Sequence, residues 1–368
     1  GDVAASGTLQ VSLPGGSSKE VKLPLPALQQ ESGAEYLLNV YAYTKYPSEM
    51  IPEGHEVARE QFVLNGNSYF AGQKSTTGAI DMKEENNVLF FTCGDVRISF
   101  NKRNGELNGY RYQDKMLLGH APQPQFWRAP TDNDFGNRMG ILCNVWRTAG
   151  QNKEFKGMNV ERKDGAVTLT SIYYLRDVAS DYTVKYTVYA DGRVEVNGSW
   201  KAGNIALPEI PRFGMQMTLA QEFDQFSWYG RGPWENYSDR NTASFIGKYT
   251  STVDEQYVAY IRPQENGNKT DVRWLTLTNK EGFGLRIDGL QPLSVSALRN
   301  YPEDFDAGLT KSQRHINDIN PRKAVVLHVD LAQRGVGGDN SWGMYPHEPY
   351  LLKAKEYTYG YVISLVAK

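Results

Sequence analysis

Apolar and polar residues alternate at period two along much of this chain, the pattern of strands half buried in a sheet. The alternation is plain over 8–13, and further strand-like runs follow at 21–25, 36–43 and 58–64, with turns such as Pro14-Gly-Gly-Ser-Ser18 between. Strands at that spacing predict a small β-sandwich over 1–65. Four strands are fewer than such a sandwich needs, so the expectation is a partial domain, either truncated at its N-terminus or with its partner strands elsewhere. Residues 66–86 are polar and poor in large apolar side chains, and read as a linker. From Asn87 strands dominate again: 88–93 and 96–100 with the Asn104-Gly105 turn form a hairpin series, and 166–170, 181–189 and 193–197 follow. One helix is predicted near 138–149, where Met139, Leu142, Val145 and Trp146 fall at helical spacing behind an Asp/Asn cap. The fold class is all-β, with 87–368 forming one large antiparallel assembly.

Composition narrows the partners. Aromatic residues make up 12% of 368, led by 23 Tyr and 7 Trp, which favours strands. The same residues suit stacking on sugar rings, although Tyr more often fills sandwich cores. Net charge is −2 with no long basic run, so nothing points to nucleic acid or an anionic membrane. Cys93 and Cys143 are too few for a disulfide framework and offer no metal spacing, which leaves the compartment open. No apolar run approaches the roughly 20 residues of a membrane span. The start, Gly-Asp-Val-Ala-Ala-Ser, has neither the basic residues nor the apolar run of a signal peptide. It also lacks an initiating Met, so an excised or mature piece is expected. The five histidines show no metal-binding pairs, and no Gly-x-Ser-x-Gly elbow is present.

Four polar–aromatic clusters carry the candidate chemistry: 126–139, 228–240, 263–273 and 335–342. In the first, Pro130 disfavours helix at Ala129. Asp132, Asn133 and Asp134 are turn and cap residues, and Gly136 can take angles closed to other residues. Glu235 and Glu265 have the character of a glycosidase carboxylate pair. They read equally as turn residues ion-paired to Arg231, Arg240, Arg262 or Arg273, and spacing does not choose. Asp132-Asn-Asp-Phe-Gly136 starts like a calcium loop, but the twelfth position is Cys143 rather than Glu. A looser oxygen-ligand site stays open. Gly335-Val-Gly-Gly338 lacks the Lys-Ser/Thr of a phosphate loop, and Asp339 would repel phosphate. Its glycines set Trp342 at a loop tip, either as a stacking face or as a cap on the core.

Taken together, Gln125-Phe-Trp-Arg-Ala-Pro-Thr-Asp-Asn-Asp134, Gly232-Pro-Trp-Glu-Asn-Tyr-Ser-Asp-Arg240, Glu265-Asn-Gly267 and Gly337-Gly-Asp-Asn-Ser-Trp342 resemble the C-terminal part of the β-galactosidases of glycoside hydrolase family two. Residues 1–65 resemble, more weakly, the immunoglobulin-like domain before the final one. The resemblance implies a partial immunoglobulin-like β-sandwich, the linker 66–86, and a galactose-mutarotase-like β-supersandwich over 87–368. It implies that no catalytic residue lies here, because the glutamate pair belongs to a (β/α)₈ barrel of the same full-length chain. Magnesium and sodium would be bound mainly by that barrel, with no cofactor in this part. The ligand would be a β-galactoside or another carbohydrate, and oligomerisation stays open. Trp342 matches the tryptophan that lines the sugar pocket, and Gly136 the hinge of a mobile loop. Asn137 and Arg138 follow at substrate-binding positions where the best-known relatives carry small or hydroxyl residues. Arg128, Asp132, Asn133, Asp134, Asp339 and Asn340 would support the two loops. Two alternatives stand beside this reading: a free-standing carbohydrate-binding module, and a mutarotase-like epimerase with a His acid and a carboxylate base.

Overall fold

The computed structural model describes residues 1–27, 31, 33–65, 69–70, 78–306, 308 and 314–367. The chain divides into two compact units, Gly1–Ala71 and Gly72–Lys368. The first holds an antiparallel pair, β1 (Tyr36–Tyr43) and β2 (Glu56–Asn65), at the strand-like runs 36–43 and 58–64. The expected strands at 8–13 and 21–25 form no ladder. Alternation makes a segment competent for a sheet, but its N–H and C=O groups need a neighbouring strand. Among the described residues this unit has no second sheet, so the sandwich expected over 1–65 is not completed, and Phe62 and Val63 stay exposed.

The second unit opens with a five-stranded meander: β3 (Asp81–Glu85), β4 (Val88–Cys93), β5 (Val96–Asn101), β6 (Glu106–Tyr112) and β7 (Lys115–Met116). Strands 88–93 and 96–100 and the turn at 104–105 stand where the pattern put them. β3 corrects the linker expectation over 81–85. Its five residues are all exposed, so it carries no apolar signal, and its strand geometry comes from pairing along β4. The linker positions 66–68 and 71–77 lie outside the described residues.

A twelve-stranded antiparallel sheet follows. Its first six strands are β8 (His120–Gln125), β9 (Lys153–Lys163), β10 (Ala166–Leu175), β11 (Ser180–Val188), β12 (Val194–Lys201) and β13 (Arg212–Ala220). Its last six are β14 (Gln225–Gly232), β15 (Phe245–Thr252), β16 (Lys269–Thr278), β17 (Gly284–Leu298), β18 (Ala324–Gln333) and β19 (Tyr357–Val366). β10, β11 and β12 send alternate side chains inward, among them Leu169, Tyr173, Tyr182, Tyr186, Val196 and Trp200. These tyrosines, with Tyr110, Tyr359 and Tyr361, are core residues, so this part of the Tyr count is packing. β13 and β18 are buried on both faces and read as near-continuous apolar runs. β17 pairs with β19 over Gly284–Gly289 and with β18 over Ser294–Leu298, so one 15-residue strand belongs to both parts of a curled sheet.

Register fixes where three of the four polar clusters emerge. Arg212 at the start of β13 faces Gln333 at the end of β18, and Gly214 faces Gln125 at the end of β8. Lys269 at the start of β16 faces Val295, which in turn faces Val329 of β18. The segments after β8 and β18 and before β16 therefore issue from neighbouring strand ends.

After α1 (Asp132–Gly136), the helix expected over 138–149 is two short pieces, α2 (Met139–Leu142) and a 3₁₀ turn at Asn144–Trp146. Arg138, in the left-handed region at φ 64°, separates α1 from α2. Met139 and Trp146 are buried as the spacing implies, but Leu142 and Val145 are exposed.

Candidate functional site

The first cluster is rooted in the core by Phe126, whose ring packs 5.6 Å from Trp146 and 5.9 Å from Phe213. Beyond Pro130 the chain enters α1 through a capping box. Thr131 Oγ1 accepts the Asp134 N–H and Asp134 Oδ2 accepts the Thr131 N–H. Asp134 is also the hub of a buried charge cluster. Arg128 Nη2 donates to its two oxygens at 3.0 and 2.9 Å and to the Gly335 carbonyl at 3.0 Å, while Nη1 donates to the Arg334 carbonyl. Arg334 Nη1 donates to Asp134 Oδ1 at 2.6 Å, and its Nε to Glu209 at 2.8 Å. One carboxylate thus joins α1 to the root of the loop that follows β18.

That loop returns to α1 at its tip. A Cβ on Gly136 would lie 2.5 Å from Gly343 Cα, 2.9 Å from its nitrogen and 3.2 Å from the Trp342 carbonyl carbon. The two backbones touch, which requires glycine at both positions. Gly343 also has φ +99°, a conformation that favours glycine. Asn340 Oδ1 accepts the Trp342 N–H at 2.9 Å, and Asp239 Oδ2 accepts the Gly337 N–H at 2.8 Å. Trp342 stands on this braced frame with 87% of its surface exposed, so it is not a cap on the core.

The other expected residues divide. Asp132 is exposed, paired with Arg262 at 3.1 Å, and receives the Gln264 amide. Arg262 also lies 3.4 Å over the Phe135 ring, tying the third cluster to α1. Asn133 is half-buried and its carbonyl accepts the Asn137 N–H. Asn137, expected as a substrate contact, is buried and its Oδ1 accepts the Met139 N–H. That side chain closes the α1–α2 corner and faces away from solvent. Arg138 is exposed. Asp339 is exposed and shares a 2.7 Å contact with His347 Nε2, within its own loop.

Both candidate carboxylates are committed elsewhere. Glu235 accepts from Arg240 at 2.6 Å, from the Gly267 N–H at 2.8 Å and from the Tyr260 hydroxyl. Glu265 is paired with Arg212 at 2.9 Å and receives Gln333 Nε2 at 3.2 Å. The looser oxygen-ligand site also fails, since Asp134 is enclosed by two arginines. Among the described residues no three His, Cys, Asp or Glu side chains converge to hold a metal. No helix among the described residues is long and apolar enough to cross a membrane.

Behind these loops the interior stays polar. Burial pushes the Asp330 carboxyl up to about 8 despite Arg212 beside it, and pushes the Lys269 ammonium down to about 8 against the pull of Glu235. Burial, with Arg212 nearby, holds the His328 imidazole well below its usual range. His328 and Asp330 sit two residues apart on β18, and both are buried. Neither of these two is accessible to serve the epimerase alternative as acid or base. Sequence reading missed Arg334, Arg212, Asp239 and Gly343. Gly343, next to Trp342 in a glycine-rich run, and Asp239, inside the 228–240 cluster, carried a local signal.

Residues 92–363 match the family model described as "Beta galactosidase small chain", and residues 1–65 that of "Beta-galactosidase, domain 4". A β-galactosidase of Priestia megaterium is 36% identical over 92% of this chain, and one of Halalkalibacterium halodurans is 30% identical over 92%. The chain spans about a third of the length of these relatives, 32% and 33% respectively. A solved galactose mutarotase related enzyme from Lactobacillus acidophilus is 10% identical with TM-score 0.40, covering 78% of this chain and 97% of that one.

Proposed function

The chain belongs to the β-galactosidase small-chain family, and on that premise we propose that it forms one wall of the sugar pocket of a longer β-galactosidase. The observation that carries this reading is Trp342, fully presented at the tip of a loop whose root and tip are both fixed to α1. Leaving an indole in water forgoes the stabilisation of burying its apolar face. A flat ring held out on a rigid frame matches the apolar face of a sugar ring. The reaction of the whole enzyme would be retaining hydrolysis of terminal β-D-galactosides. Such chemistry needs a carboxylate nucleophile and a second carboxyl group that is acid and then base. Glu235 and Glu265 are each occupied by arginine and backbone or amide donors, which supports placing that pair, with any magnesium and sodium, in the remainder of the longer chain.

Stacking on one sugar face contributes about 1–2 kcal/mol, which corresponds to about 5–30-fold in binding. In the longer enzyme Trp342→Ala is expected to raise KM for a β-galactoside by that factor, with kcat changed less, and Trp342→Phe to retain most of the affinity. Steady-state kinetics reads both. An unchanged KM in Trp342→Ala would remove this residue from the pocket.

A further inference from the structure

We propose that Trp234 and Ile261 form a docking surface for the remaining two thirds of the longer chain, beside the sugar pocket. This rests on the reading of Trp342 above. Ile261 is 85% exposed and Trp234 59% exposed, and both stand on braced segments. Tyr260, next to Ile261, donates its hydroxyl to Glu235. On the other side, Arg262 is fixed to Asp132 and to the Phe135 ring. The Trp234 carbonyl accepts Asn236 Nδ2 at 3.0 Å, and Asn236 is buried, with its Oδ1 accepting the Thr270 N–H at 2.8 Å. Neither side chain is therefore outward because its backbone is loose.

The surroundings have the make-up of a protein interface, an apolar centre with a polar rim rich in arginine. The Glu235–Arg240 and Asp132–Arg262 pairs supply the rim. Ile261 has no flat face or donor with which to read a sugar, so a protein surface fits it better than a carbohydrate. The occupant follows from length and position. The Priestia megaterium relative has about twice as much chain again outside the stretch matched here. The surface also adjoins Trp342 through Phe135 and Gly136. Whatever supplies the floor of the pocket beneath Trp342 must come within reach of Ile261.

The test compares the longer enzyme with this 368-residue chain alone. Backbone amides of 234–236 and 258–262 should exchange with deuterium more slowly in the longer enzyme than in the chain alone. Ile261→Asp combined with Trp234→Ser should raise KM for a β-galactoside by about tenfold, the effect of 1.4 kcal/mol. It should also open the longer enzyme to limited proteolysis, while the chain alone with the same substitutions melts as the parent does. If the doubly substituted enzyme fails to fold, Ile261→Ser and the exchange comparison decide alone. Equal exchange in the two contexts, or unchanged KM and protease resistance, overturns the proposal. So does loss of an oligomer with KM intact, which would make the surface a contact between copies. Trp342→Ala, measured in the same series, separates the two readings. If it raises KM while the docking substitutions do nothing, only the docking surface falls.

Discussion

Asp134→Asn is expected to lower the stability of the chain by about 3–5 kcal/mol, the cost of leaving buried charge without its partner. The substitution keeps the shape of the side chain and removes its charge. Arg128 and Arg334, both fully buried, would then face each other across a neutral amide, with Glu209 the one remaining carboxylate bonded to Arg334. At 2–4 °C per kcal/mol for domains of 150–250 residues, the melting temperature should fall by on the order of 10 °C. Asp132→Asn, two residues away in the same helix, is the control. Its carboxylate is 61% exposed, and a surface pair with Arg262 adds little. Thermal or denaturant unfolding of the two variants would separate a hub from a rim contact. Equal small shifts would mean that the arginines find other partners.

The second large effect is expected on function. In Gly136→Ala the new Cβ meets backbone atoms of Gly343 and Trp342, which no side-chain rotation can clear. The loop must shift, at a cost of about 1–3 kcal/mol in stability. Misplacing a binding group by about 1 Å can cost on the order of 100-fold in rate. The kcat/KM of the longer enzyme toward a β-galactoside should accordingly fall by roughly 10–100-fold. Gly140→Ala lies on the neighbouring helix α2, where a Cβ would meet nothing nearer than Pro130 Cγ at 3.8 Å. It should be silent or slightly stabilising, since alanine favours helix. If Gly136→Ala kept full activity, the contact between α1 and the Trp342 loop would have no bearing on catalysis.

Gly136 and Trp342 show where sequence reading reached and where it stopped. The family resemblance marks Gly136 and Trp342 as partners in one pocket, and the structure puts their backbones in contact. What that contact displays at Gly136 is close approach at the end of α1. The four clusters were legible because each packs polar and aromatic residues into a short window. Their convergence was not legible, because it depends on pairing Arg212 with Gln333 and Lys269 with Val295 across the sheet. Arg334 lies 200 residues from Asp134, and no local pattern marks such a partner.

The same division holds for the fold. β10 to β12 bury one face each, so alternation revealed them. β3 buries neither face and was read as linker. The segments 8–13 and 21–25 alternate correctly and still form no strands, for want of neighbours to pair with. The helical spacing at 138–149 was real for Met139 and Trp146, but the segment folds as α2 and a 3₁₀ turn that meet at Cys143 rather than as one helix.

The central claim is that this chain lends a wall to a pocket whose chemistry lies elsewhere. It is tested most directly by assaying the purified 368-residue chain, beside the longer enzyme, for hydrolysis of a chromogenic β-galactoside. The account predicts turnover by the longer enzyme and none above background by the chain alone. Hydrolysis by the chain alone, abolished by Glu235→Gln, would contradict it and return catalysis to these residues.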